Sequence, residues 1–338
     1  MSNICLLVLY NHNYESNIPR IEKLYKGRFS HIYHIMPFYT GDKENVIPVY
    51  ESSFQFSGYI TQAYATLKNL KTKFSHFCVI ADDIILNPEI NETNILEKLN
   101  LGKNSGYIDN LTPLTRDALF GGPGCWNWCY SIFLHFKRQA NACEFSKHIP
   151  TFDQAVEYFK EKGISLDNMP SEQDFSLASK YVEQDAGCYY IWHVKGTFEE
   201  CKLNELKKKH KRRYLLTKLF KTEIKPKKYP PIYPLAYGCS DFIVIPDSSM
   251  KKFCHLCGVF AAARIFVECA IPTSMVMSVP DIKKFKDTKF KTCINLYTAQ
   301  ERDELANSYN YSLGVLFKNF PENCLFIHPV KLSKWSDK

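Results

Sequence analysis

The chain has 338 residues, 45% of them hydrophobic and 23% charged, which excludes an intrinsically disordered protein and provides for a sizeable core. Its formal net charge of +8 points to anionic partners, whether nucleotides, nucleic acid or an acidic membrane surface, without choosing among them. The N-terminal apolar run reads as a strand rather than a secretory leader, no segment reaches the ~18 apolar residues of a membrane span, and 13 cysteines in no repeating frame fit free thiols in a reducing, cytoplasmic compartment.

From the N-terminus the elements alternate. Residues 4–10, ICLLVLY, are a continuous apolar run expected to be a buried strand. Ser16 and a proline near the first turn open a helix predicted over 16–29. Strands follow over 31–38 and 45–50, then a helix over 58–74, then a fourth strand over 76–81. This rhythm predicts an α/β fold with a mostly parallel sheet, in which ligands bind beyond the carboxyl ends of the strands.

Two adjacent carboxylates, Asp82 and Asp83, stand at such an end, inside VIADDIIL (79–86). Neighbouring carboxylates repel each other, and a cation or hydrogen-bond donors relieve the repulsion. A hard divalent ion takes oxygen ligands of this kind and bridges them to phosphates. A turn leading into Asn87 and Pro88 accounts for the same residues without any ligand.

Farther along, LFGGPGCWNWCY (119–130) joins a glycine-rich turn to Trp126 and Trp128, flat faces on which a sugar or base can dock, or a core-packed turn. Helices are predicted over 151–164, stopped at Gly163, and over 171–184, where Ser171 with Asp174 forms a capping pattern. A strand is expected over 188–194. Residues 202–228 form a basic segment, read as a helix from Leu203 to Phe220 followed by a linker. Leu215, Leu216, Leu219 and Phe220 supply its apolar side. An anionic membrane, RNA and plain solvent each suit such a helix; nucleic acid is the least supported, because no RRM, KH, zinc-finger or helix-turn-helix signature accompanies it. Then come a turn with Gly238, Ser240 and Asp241 leading into a strand, one long apolar helix over 248–270, and a late strand ending in His328, Pro329 and Lys331. Cys254 and Cys257 have metal-like spacing but no second pair, and they fall inside the apolar helix. There is no GxGxxG, P-loop or GxSxG pattern.

The whole chain resembles a nucleotide-sugar-dependent glycosyltransferase of the GT-A fold. The likeness is carried by VIADDIIL as a variant of the hhhDxDhh strand-end motif, by the preceding YESSFQFSGYITQAYATLKNL and by the late FIHPVK. It implies a Rossmann-like GT-A fold: a central, mostly parallel sheet flanked by helices, with additional helices in the C-terminal half. Residues 1–110 would form the nucleotide-sugar half and 111–338 the acceptor half. Asp83 matches the metal-binding aspartate and Asp82 the middle position, while His328 and Lys331 match late residues that touch metal or phosphates. Ala81 stands where the motif's first aspartate belongs, so a divalent cation, Mn²⁺ or Mg²⁺, would lose one ligand or be replaced by basic groups. Tyr10, Asn11 and His12 would contact the base and ribose, and Ser57 and Gly58 would line the nucleotide pocket.

The implied reaction displaces a nucleoside diphosphate, UDP as first guess, from a sugar and passes the sugar to a glycan or lipid-linked acceptor. An inverting enzyme needs a carboxylate to take the acceptor proton. Asp241 is the first candidate, followed by Glu268, Glu172 and Asp174. A turn-forming role for Asp241 and a capping role for the SEQD acids (171–174) fit as well. Glu268 is expected at a helix's negative end, where a carboxylate needs a partner. The basic segment would hold the enzyme peripherally on the inner face of a membrane. Two other readings remain. A nucleotidyltransferase would carry a glycine-rich basic loop after the first strand, where YNHNYESN stands; a non-enzymatic binder would use residues 202–228.

Overall fold

The computed structural model describes residues 3–120, 144–184, 192–220 and 231–336. Its strands are β1 Ile4–Leu9, β2 His31–Pro37, β3 Val46–Val49, β4 His76–Ala81, β5 Ile85–Leu86, β6 Ser105–Ile108, β7 Thr112–Pro113, β8 Val182–Gln184, β9 Trp192–Val194, β10 Ala236–Tyr237, β11 Phe242–Pro246, β12 Asp281–Lys283, β13 Thr292–Asn295 and β14 Cys324–His328. Seven of them form the central sheet, in the order β3-β2-β1-β4-β11-β6-β12. Within it β11 alone runs antiparallel to both of its neighbours. The chain is therefore a mixed α/β protein with a large, mostly parallel sheet flanked by helices, as the alternating pattern predicts.

The unbroken apolar runs follow from a sheet covered on both faces. Along β1, Cys5, Leu7 and Leu9 enter one core while Ile4, Leu6 and Val8 enter the other. The first core is completed by the helices Phe56–Leu67, Asp247–Ala262 and Val267–Ser278. The second is completed by the helices Ile18–Tyr25, Ala299–Ser308 and Leu313–Lys318, together with β14. Strand β14 pairs with β5 just beyond the two aspartates, so the C-terminal region folds back onto the end of β4.

Several boundaries differ from expectation. The first helix begins only at Ile18, after a 3-10 turn over Glu15–Asn17, and the second ends at Leu67 rather than at 74. The helix capped by Ser171 and Asp174 stops at Ala178, because residues 182–184 turn into β8 and pair with β9. The basic helix breaks at His210 (φ −142°, ψ 65°) into Phe198–Lys209 and Lys211–Leu219. The predicted single helix over 248–270 is two, Asp247–Ala262 and Val267–Ser278, joined through Arg264 at φ 58°. Between Gly258 and Ala270 the sequence has few polar residues, so periodicity carries little mark of where it turns. Among the described residues no helix is long and apolar enough to cross a membrane. Trp126, Trp128 and the linker at 221–228 lie outside the described residues.

Candidate functional site

The strand order fixes where a ligand can enter. Strands β1, β2 and β3 step outward on one side, and the chain then returns to place β4 on the other side of β1. The carboxyl ends of β1 and β4 thus flank a switch point, the crevice where open α/β sheets bind ligands. In register, Leu9 pairs with Ala81, so Tyr10 and Asp82 leave the sheet side by side. Because β11 is antiparallel, its first residue arrives at the same rim. Across the sheet the rim reads Tyr50 after β3, Phe38 after β2, Asn11 near β1, Asp82 and Asp83 after β4, Asp241 before β11 and Asp109 after β6.

The two adjacent aspartates take different jobs. Asp82 turns inward: its N–H donates to the carbonyl of Leu9 at 2.8 Å, and its carboxyl accepts from the backbone of Asn11 and the side chain of Asn17. Burial, with the charge of Asp83 added, raises its pKa to about 7. Asp82 thereby pins the segment after β1. Asp83 faces the C-terminal region instead. Its carbonyl accepts the Val330 N–H at 2.7 Å, and its Oδ1 lies 3.4 Å from His328 Nε2. That buried Oδ1 accepts no hydrogen bond from the described residues. His328 Nε2 is also 3.8 Å from Oδ1 of Asp241. Burial opposes a charge on His328, but contact with Asp83 and the charge of Asp241 outweigh it and raise its pKa, favouring the imidazolium.

Asp241 is delivered by a turn with no room for a side chain. A Cβ on Gly238 would sit 2.1 Å from the carbonyl oxygen of Asn110. The Gly238 N–H donates to the carbonyl of Glu268 at 3.0 Å, and the Cys239 N–H to Oδ1 of Asn110 at 2.7 Å. The Asp241 carbonyl accepts the N–H of Ala81, one residue before the aspartate pair, at 2.8 Å. Burial raises the pKa of Asp241; His328 pulls it down and Asp83 pushes it up again. Asp109 is raised by burial too, with the Tyr107 hydroxyl 3.4 Å away and Asp241 as a like charge nearby.

Glu268 corrects an expectation. It lies in the first turn of Val267–Ser278, at the positive end of that helix and not at a negative one. Burial, and then the charge of Asp241, drive its pKa far above the carboxylate range. That direction favours its protonated form, which suits a proton acceptor less well than Asp241. Glu172 is exposed at the first position of Glu172–Ala178, outside the contacts that gather Asp83, Asp241 and His328. Its neighbour Asp174 closes the capping box with Ser171 and lies 3.1 Å from Nε of Arg116, a structural role.

Three nucleotide contacts also need correction. Tyr10 is fully buried, its hydroxyl 2.8 Å from Nδ1 of His34, and has no face for a base. Ser57 and Gly58 are buried, and a Cβ on Gly58 would meet Ala261 at 3.1 Å, so this glycine serves helix packing. Asn11 and His12 are exposed at the rim. Lys331 is exposed after Val330, and among the described residues no carboxylate pairs with it.

The rim holds residues that the sequence reading passed over. Phe38 (59% exposed) and Tyr50 (68%) present rings to solvent, with centroids 6.2 Å apart. Phe38 sits at φ 54°, a left-handed backbone that bulky residues avoid and that tends to occur at functional sites. Asp109 follows its strand as Asp82 follows β4, a signal the sequence did contain. Tyr297, two residues beyond β13, is 80% exposed.

Among the described residues no group of three or more His, Cys, Asp or Glu side chains is disposed to hold a metal ion. An ion that bridges phosphates needs only one or two protein carboxylates, and Asp83, whose Oδ1 has His328 Nε2 at 3.4 Å as its neighbour, is the residue that could supply one. No protein-family model matches the chain, and no curated protein matches it either.

Proposed function

We propose that this protein is a glycosyltransferase of the GT-A type, taking a sugar from a nucleotide sugar, UDP-linked as first choice, to a glycan or lipid-linked acceptor. One observation carries the reading: at the switch-point crevice the rim passes from exposed aromatic rings through Asp83 and His328 to Asp241. From β3 to β4 is three strand spacings, about 14 Å, enough to lay a base at one end and phosphates at the other.

In this reading the base stacks on Phe38 or Tyr50, and Asn11 and His12 face the ribose. The diphosphate lies between Asp83, His328 and Lys331. His328, biased towards its cationic form, and Lys331 stabilise the charge that grows on the leaving group. A divalent ion held by Asp83 would add Lewis-acid neutralisation of the same oxygens. The bond from the anomeric carbon to the diphosphate breaks, the acceptor oxygen bonds to that carbon, and the acceptor proton passes to Asp241. A carboxylate whose pKa is raised towards neutrality is the better base.

The test is the melting temperature against UDP-, GDP-, CMP- and dTDP-sugars, each with Mn²⁺ and with EDTA. A ligand at 100 times its Kd adds about 2.7 kcal/mol of stability. A shift specific to one nucleotide and lost in Asp83→Ala supports the proposal. If that shift survives EDTA, the charge falls to His328 and Lys331. No shift with any nucleotide overturns it.

A further inference from the structure

The crevice makes no use of the helix Lys211–Leu219, and folding does not account for that helix. Its predecessor, Phe198–Lys209, is tied to the body of the protein. It buries Phe198 and Cys201, carries a complete capping box of Thr197 and Glu200, and pairs Glu205 with Lys180 at 2.8 Å. After the break at His210, the helix Lys211–Leu219 buries no residue at all. Among the described residues every exposed leucine belongs to it: Leu215 and Leu216 at 55% and Leu219 at 74%, with Phe220 at 69% following directly.

The helix is polar along its length and not across it. Lys211, Arg212 and Arg213 occupy the first turn, and the four exposed apolar side chains occupy the end. Cations at a helix N-terminus oppose the dipole and lower the stability of the isolated helix. Between Leu206 and Phe220 there are seven Lys and Arg residues and no acidic one. Among the described residues no carboxylate pairs with Lys211, Arg212, Arg213 or Lys218. Exposed hydrocarbon and misplaced charge both weaken the free protein, so both ask for a partner outside it.

We infer that the tip of this helix docks on an anionic lipid bilayer, with Leu215, Leu216, Leu219 and Phe220 entering the acyl boundary and the basic collar meeting the headgroups. Charge complementarity selects the occupant. A second copy would bring the same seven cations to the contact and be repelled. A nucleic acid would neutralise the collar but leave four large apolar side chains in water. A bilayer with anionic headgroups accepts both, since apolar insertion and surface charge act together there. The inference stands apart from the sugar-transfer reading, because none of these residues belongs to the rim.

The experiment is co-sedimentation of the full chain with phosphatidylcholine vesicles, with and without a phosphatidylglycerol fraction, at low and high salt. The expected result is binding only to the anionic vesicles, weakened by salt. Leu219→Asp with Phe220→Asp should weaken it roughly tenfold or more, as should Arg212→Glu with Arg213→Glu. Both variants should melt at the wild-type temperature, since the substituted side chains are exposed. Absence of vesicle binding overturns the inference, as does vesicle binding that neither variant weakens. Salt-sensitive binding to a single-stranded oligonucleotide in place of vesicles overturns it in favour of a nucleic-acid surface.

Discussion

The carboxyl rim of the sheet and the helix pair at 198–220 break opposite rules of protein architecture. The rim draws acids into the protein: Asp82 and Glu268 are buried, Asp83 and Asp241 flank His328, and Asp109 lies near Asp241. The second helix of the pair pushes hydrocarbon out: three leucines and a phenylalanine stand in water. Strand β1, by contrast, alternates cleanly between two cores. Local rules are broken where a surface has a purpose besides folding. The two regions differ in what they would take, a small polar ligand in a crevice at one and an extended anionic, oily surface at the other. The rim should therefore respond to pH and to nucleotides, and the helix tip to lipid alone.

Substitutions can test that contrast. The largest effect is expected from Asp241→Asn: turnover of the nucleotide sugar found in the melting panel should fall by roughly 10² to 10⁴, with no loss of melting temperature. A variant that keeps its rate would remove Asp241 from the chemistry.

Next comes the pH response of Asp82. The native state keeps its proton up to about pH 7, while the unfolded chain gives up its proton near 4. Between those values the unfolded state binds fewer protons, so stability falls as pH rises, by roughly 4 kcal/mol for this group. His328, also raised, works in the same sense: the stability it contributes is full below its unfolded pKa and lost as pH rises through its folded one. The melting temperature should drop between mildly acidic and neutral pH, and Asp82→Asn should flatten that slope. A wild-type curve that rises over the same range would contradict the buried, protonated state.

Gly238→Ala places a methyl where the carbonyl of Asn110 already sits, so the turn must open. Chemical denaturation should show a loss of about 3 kcal/mol, with a fall in turnover because Asp241 moves. Phe38→Gly should split two readouts. Stability rises by about 1 kcal/mol as the left-handed backbone is relieved, while nucleotide affinity weakens by roughly 1–3 kcal/mol if a base stacks there. Stability and affinity moving together would deny the ring a ligand-facing role. The smallest effect belongs to the helix tip: Leu219→Asp should change folding stability by less than about 0.5 kcal/mol, measured on the same denaturation curve.

Much of the N-terminal half was legible because its signals are local. The run HFCVIA became β4 with both boundaries as expected, since a strand covered on both faces is apolar throughout and ends where polarity returns. The capping pattern of Ser171 and Asp174 also formed. The acidic pair stood out for the same reason, two charges directly after a buried run. Its division of labour did not, because neighbouring residues in a chain look alike until the fold turns one towards Asn17 and the other towards His328. Tyr10 was misjudged because it continues the apolar run by one residue, and only packing shows whether that last ring faces solvent or His34. Phe38 and Tyr50 were overlooked for the mirror-image reason: each closes an apolar run, yet each points out.

What the sequence determined by itself was the alternation of strands and helices, the identity of the strand ends, and the unequal distribution of charge, all set by neighbours within one or two turns of chain. What only the tertiary structure decided was which of those ends meet. Asp83 and His328 lie 245 positions apart in the chain and 3.4 Å apart in space. They meet because β14 pairs with β5 and β11 runs against its neighbours, carrying Asp241 to the rim where β1 and β4 finish. Strand pairing is a contest among distant segments for the same hydrogen bonds and the same apolar faces, and no local pattern records its outcome.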